Sequence, residues 1–236
     1  MSSTESPELA KPPGPCCFEG VKHSGNPVGR EDAIGGIPTY IVEPVEGFKS
    51  GGKIILFFAD IYGPLYINSK LIQDYFASQG YLVLGIDYFQ GDAVYLHDSE
   101  QGFDREGWKT KNLENAKKIV PGWVEEVRKT YGKDAKYSAV GYCFGAPFTL
   151  NYAATEWLSA EPLLLSLAET DHTFPTESRR RAVDILSEKK TTYHVQIFSG
   201  VAHGFAVRGD PEVENSRWVK EECARSIIAW FDRFSK

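Results

Sequence analysis

Short apolar runs alternate with amphipathic stretches along most of the chain, and the alternation predicts its elements in order. Residues 39–43 can form an edge strand. Residues 53–59 (KIILFFA) are almost continuously apolar, as a strand covered on both faces requires. The loop Asp60-Ile61-Tyr62-Gly63-Pro64 ends that run, and residues 68–78 read as a helix stopped by Gly80. A second buried strand over 81–86 gives way to a loop at 87–92. The polar and aromatic excursion over 93–109 is the natural place for a lid or pocket wall. Residues 112–130 predict a helix broken or kinked at Pro121-Gly122. A strand over 137–140, a glycine-flanked turn and a helix come next. Beyond them the pattern predicts a strand over 162–167, a helix over 176–189, a strand over 193–198 and a long amphipathic helix over 211–234. Strands alternating with helices argue an α/β fold: a doubly wound, mainly parallel sheet with helices on both faces and no large cap domain. Residues 1–36 are rich in Pro, Gly and Ser and predict a tail and wrapping loop, with residues 37–236 forming one domain.

Composition narrows the function classes. The chain has 236 residues, 42% of them hydrophobic, enough for a well-buried core. The formal net charge is −6 and there is no basic block, which argues against a nucleic-acid partner. No apolar run approaches the roughly 18 residues of a membrane span, and the polar start does not read as a signal peptide. The expectation is a cytoplasmic protein, monomeric or homodimeric. Its four cysteines are Cys16, Cys17, Cys143 and Cys223. Adjacent Cys16 and Cys17 are poorly placed to bridge each other, and no pair has metal-ligand spacing, so reduced thiols and no metal are expected.

The chemistry centres on Gly141-Tyr142-Cys143-Phe144-Gly145, a small-x-nucleophile-x-small turn between a strand and a helix. Cysteine stands where serine is commoner, and a helix start favours its thiolate. Asp171 and His203 each follow a predicted strand. The order nucleophile, acid, histidine is that of α/β-hydrolases. Cys143 then reads as nucleophile, His203 as general base and acid, and Asp171 as the group that orients the imidazole. Glu169 is the fallback acid, while Asp184 lies in a helix pattern. His23, His97, His172 and His194 lack a comparable setting. The amide of Phe144 is the expected first oxyanion donor and that of Ile61 the second.

Five stretches together, residues 58–63 (FADIYG), 87–92 (DYFQGD), 141–146 (GYCFGA), 168–175 (AETDHTFP) and 202–206 (AHGFA), resemble the dienelactone hydrolase (carboxymethylenebutenolidase-like) family. Its fungal and other eukaryotic members are the most similar. The resemblance implies an α/β-hydrolase fold, no cofactor, and a Cys143-His203-Asp171 triad. It also implies attack on the carbonyl of a small lactone or activated ester, a thioester acyl-enzyme, and release by water. Members commonly carry a carboxylate where Asp60 stands; in the bacterial type a glutamate there helps generate the thiolate. Asp60 is one methylene shorter, so a loop-fixing role stands beside thiol activation. Arg208 lies near the place from which bacterial members grip a substrate carboxylate. Tyr62, Tyr88 and Phe89 can line the pocket or simply pack at strand ends.

One departure from that pattern is large. The acid-bearing strand begins at Glu161-Pro162, directly after the elbow helix, where an α/β-hydrolase has a further strand and crossover of roughly 20 residues. A missing segment near 157–161 is the expectation, with a true deletion as the alternative. A second function class also stays open: a non-catalytic ligand-binding or redox-sensing protein on the same scaffold.

Overall fold

The computed structural model describes residues 9–11, 13–153 and 162–235. Two strands open the fold, β1 (Arg30–Ile34) and β2 (Ile37–Val42), so regular structure begins inside the stretch expected to wrap as a loop. Next come β3 (Lys53–Phe58), α1 (Ile67–Ser78), β4 (Leu82–Ile86) and α2 (Arg105–Tyr131). The elbow follows, with β5 (Lys136–Gly141) before it and α3 (Ala146–Ala153) after it. The C-terminal part holds β6 (Leu163–Thr170), α4 (Thr176–Glu188), β7 (Tyr193–Ala202), the single turn α5 (Phe205–Arg208) and α6 (Glu214–Phe234).

Strand periodicity explains the layers. Ile54, Leu56 and Phe58 on β3 face the cluster that holds Val120, Trp123 and Val127 of α2. Their neighbours Ile55 and Phe57 face the opposite cluster, with Ile72 and Phe76 of α1 and Val219 and Ile227 of α6. Successive side chains on a strand point to opposite faces, so one apolar run supplies two cores. At the centre of the α2 layer Trp123 is 1% exposed, and its Nε1 donates to Thr39 Oγ1 at 2.9 Å. Trp123→Ala is expected to lower stability by about 3–5 kcal/mol, because it opens a cavity and removes a buried hydrogen bond to the Thr39 hydroxyl. A urea midpoint unchanged from wild type would count against this packing.

The expected break at Pro121 does not occur. α2 runs unbroken through Pro121, which lies on its exposed side, where water can satisfy the carbonyl left without an N–H donor. The helix also starts earlier than the hydrophobic pattern suggests, because Asp104 caps it by accepting from the Gly107 N–H at 3.0 Å.

The sheet is mixed and interrupted. One sheet has the order β1-β2-β4-β3-β5, with β1, β2 and β4 antiparallel in turn and β4, β3 and β5 parallel. The second consists of β6 and β7, also parallel. Among the described residues β5 pairs only with β3 and β6 only with β7. Between those two edges runs a cleft of about 1060 Å³, lined by Ser138 and Val140 on β5, Leu163 and Leu165 on β6, and Ile227 and Trp230 on α6. The segment expected to be missing near 157–161 lies outside the described residues.

Candidate active site

The elbow is built on close backbone approach. Tyr142 N–H donates to the Phe58 carbonyl at 3.0 Å, tying the turn to the end of β3. A Cβ on Gly145 would run into the carbonyls of Phe58 and Ala59, and one on Gly141 would meet the Gly145 carbonyl. Glycine is therefore a steric requirement at both positions. Between them Cys143 has φ +51°, a left-handed conformation that non-glycine residues adopt only when the surroundings impose it. Cys143 lines the cleft together with Asp60, Phe144, Asp171 and His203.

β6 and β7 bring in the other two groups. His203 N–H donates to the Thr170 carbonyl at 3.0 Å, and its Nδ1 lies 2.9 Å from Asp171 Oδ2. The second carboxylate oxygen of Asp171 accepts from the Thr173 N–H (2.8 Å), the Thr173 hydroxyl (2.7 Å) and the Phe174 N–H (3.0 Å). Burial opposes ionisation of Asp171, yet the His203 bond and these donors hold it down at about 2. Glu169, the fallback acid, instead accepts from the Gly200 N–H.

A residue that sequence reasoning left aside completes the cluster. The 3₁₀ turn Pro15–Phe18 places Cys17, fully buried, between the nucleophile and the imidazole. Its Sγ lies 3.3 Å from His203 Nε2, and Cys143 Sγ donates to it at 3.4 Å. The Cys143 bond pulls the Cys17 thiol down, against burial and with help from His203, to about 4. Burial disfavours the imidazolium, but Asp171 and Cys17 push His203 up to about 10. Cys143 moves the other way: its bond to Cys17 and its enclosure raise it well above the ordinary thiol range. With the sulfurs 3.4 Å apart and Nε2 at 3.3 Å from Cys17, the two thiols titrate as one unit with the imidazole. Ligand atoms of Cys17, Cys143 and His203 all lie within 4.8 Å of one another.

The acid-side consequence is testable. Asp171 ionises below its unfolded range of about 4, so on acidification the unfolded chain takes up the proton first and folding weakens. The unfolding temperature is expected to fall as the pH drops from about 4 to about 2, with a shallower fall in Asp171→Asn. Parallel curves for the two proteins would contradict the shift.

The remaining expected site residues are packed rather than open. Arg208 pairs with Asp60, both buried; its Nε donates to the Glu19 carbonyl at 2.8 Å, and its guanidinium lies over the Tyr62 ring. Asp60 also accepts from the Tyr62 N–H at 2.9 Å, holding the loop after β3. Tyr62 donates to the Phe18 carbonyl and Tyr88 to that of Ala59. Tyr88 and Phe89 pack behind Phe144, inside the core. Ile61 is wholly buried in that loop.

Comparison with known proteins agrees with this architecture. The profile of the Dienelactone hydrolase family matches residues 37–160 and 156–235, two stretches that meet where the strand order is interrupted. Dienlactone hydrolase 2 of Gibberella moniliformis is 41% identical over 231 residues, covering 95% of this chain and 96% of the relative. Dienlactone hydrolase 1 of the same fungus is 35% identical over 257 residues, covering 98% of each chain. The second match is much longer for almost the same share of this chain, so that relative carries inserted residues that the first lacks. Among solved structures, a dienelactone hydrolase-like promiscuous phosphotriesterase from metagenomic libraries superposes with a TM-score of 0.59 at 16% identity, covering 89% of this chain and 98% of that one. An esterase of Thermogutta terrifontis gives 0.55 at 15% identity, covering 86% and 94%. The structures carry the fold, α/β-hydrolase; the profile and the fungal relatives go further, and by them the chain belongs to the dienelactone hydrolase family.

Proposed function

We propose that the chain hydrolyses a small lactone or activated ester through Cys143. One observation carries the reading: an elbow cysteine at φ +51° has its sulfur within 4.8 Å of an imidazole backed by a carboxylate at 2.9 Å. As Nε2 turns from Cys17 to Cys143 it leaves its proton on the Cys17 sulfur. The neutral imidazole then takes the Cys143 proton as that sulfur adds to the substrate carbonyl, and gives it to the leaving alkoxide. The acyl group stays on sulfur as a thioester. Water, deprotonated by His203, attacks that thioester and releases the acid and the thiol. Asp171 keeps the Nδ1 proton in place, so that Nε2 faces the sulfur. The amides of Phe144 and Ile61 receive the oxyanion. In the resting state Nε2 faces Cys17, and the first step needs it to engage Cys143 within that 4.8 Å. Apo enzymes often hold such contacts loosely and tighten them around substrate.

Substrate charge follows from Arg208. Asp60 already neutralises it, which supports an uncharged or singly charged ester over a dianionic lactone and gives Asp60 a loop-fixing role. Among the described residues no helix is long and apolar enough to cross a membrane. A reducing compartment such as the cytoplasm would keep both site thiols free. The competing reading, a redox-sensing or ligand-binding protein, draws on the 3.4 Å contact between Cys17 and Cys143. The experiment that separates them is peptide mass mapping after an acid quench of nitrophenyl acetate turnover. An acetyl group on the Cys143 peptide, with continued turnover, is expected. Steady turnover without acyl-Cys143 sinks the mechanism, and a single burst with none favours the competing reading.

A further inference from the structure

We propose that Cys17, Cys143 and His203 form a binding site for one soft divalent ion of the zinc class, which blocks the site reversibly. A zinc ion holds thiolate sulfur at about 2.3 Å and imidazole nitrogen at about 2.0–2.1 Å, so tetrahedral ligand atoms stand about 3.5–3.8 Å apart. Cys17 Sγ lies 3.3 Å from His203 Nε2 and 3.4 Å from Cys143 Sγ. Two of the three edges need only a few tenths of an ångström of adjustment, and the third is already under 4.8 Å. The outer partner is present as well. Asp171 Oδ2 sits on Nδ1 at 2.9 Å, the carboxylate–histidine arrangement that orients a metal-binding imidazole and leaves Nε2 to the ion. Two thiolates balance the dication, so the enclosed ligand set carries no net charge. Cys143 and His203 line the cleft, from which a water can complete the shell. Thiolate ligands exclude magnesium and calcium as occupants.

Cys17 is what turns a nucleophile and its base into a ligand set. Binding takes both sulfurs as thiolates and Nε2 as a free nitrogen, so whatever protons these three groups hold are released to solvent. With the ion in place the sulfur cannot attack and the imidazole cannot accept a proton. That inhibitory consequence rests on the hydrolase reading; the ion site itself does not.

The test uses the full chain under a phosphine reductant, titrated with zinc against a chromophoric chelator. One ion per chain is expected in the wild type. Cys17→Ser and Cys143→Ala should each lose more affinity than the roughly 10–100-fold that loss of an outer partner costs, and Asp171→Asn should fall within that range. X-ray absorption of the wild-type zinc complex, which needs no variant, should fit two sulfur neighbours with nitrogen or oxygen completing the shell. Ester turnover should stop on adding one equivalent of zinc and return with excess chelator. A wild type that takes up no stoichiometric zinc, a Cys17→Ser chain that binds as tightly as wild type, or an ion without two sulfur neighbours overturns the site. A chain that turns over ester while ignoring zinc loses only this proposal. One that binds zinc through two sulfurs but never turns over ester keeps the site and loses the hydrolase reading.

Discussion

Cys143→Ala is expected to lower kcat/KM for an aryl acetate by about 10⁴-fold or more, with the fold intact. The size follows from what remains. Without the thiol there is no covalent route, and the proposed oxyanion donors, the amides of Phe144 and Ile61, can only polarise a carbonyl for attack by water. Removing a nucleophile from such a unit costs nearly as much as removing the whole unit. Stability should hardly change, because Cys143 is half-buried and alanine at φ +51° carries the same backbone strain as cysteine. Unfolding midpoint and turnover therefore separate the two causes of a lost activity. Turnover within tenfold of wild type would falsify the nucleophile assignment, and the neighbouring Cys17 would then be the next thiol to replace.

Gly145→Ala should abolish activity for a different reason. Its new Cβ meets the carbonyl atoms of Phe58 and Ala59, which are backbone and belong to the end of β3. A side chain could rotate away from such a clash, whereas a strand end tied by the Tyr142 N–H to the Phe58 carbonyl cannot. Overpacking of this kind costs about 3 kcal/mol or more, a large fraction of a typical domain's stability. Gly122→Ala is the matched control. It lies within α2 with nothing within 4 Å of a new Cβ, so a gain of up to about 1 kcal/mol is expected there. A urea midpoint for Gly145→Ala equal to that of wild type would mean that the elbow is looser than described.

Which parts of this arrangement could be read from the chain depends on the range of the forces involved. β3 and β4 announced themselves because strands buried on both faces are apolar at every position. The convergence of Cys143, Asp171 and His203 was legible because each follows a strand, and strand ends in such sheets share one rim. The start of α2 was hidden, since its cap is a single aspartate in an aromatic and polar stretch. Cys17 carried no local signal at all. It lies 126 residues from Cys143 and 186 from His203, in a proline-rich segment without periodicity, and only the wrapping of that segment over the sheet brings it in. Arg208 was singled out by its position after His203, but its pairing with Asp60, 148 residues away, is a matter of packing. The interrupted sheet was foreshadowed by a spacing too short for a strand and a crossover. The two edges left unpaired among the described residues, and the cleft between them, needed coordinates to be seen.

Because the sulfur rides on the five-stranded sheet while the imidazole and its carboxylate ride on the two-stranded one, the reactive distance is set across a seam. No backbone ladder spans that seam among the described residues, so α6, packed along it, acts as a splint. Turnover becomes a gauge of the splint: mild denaturant that lets the halves drift by an ångström silences the chemistry while both halves are still folded.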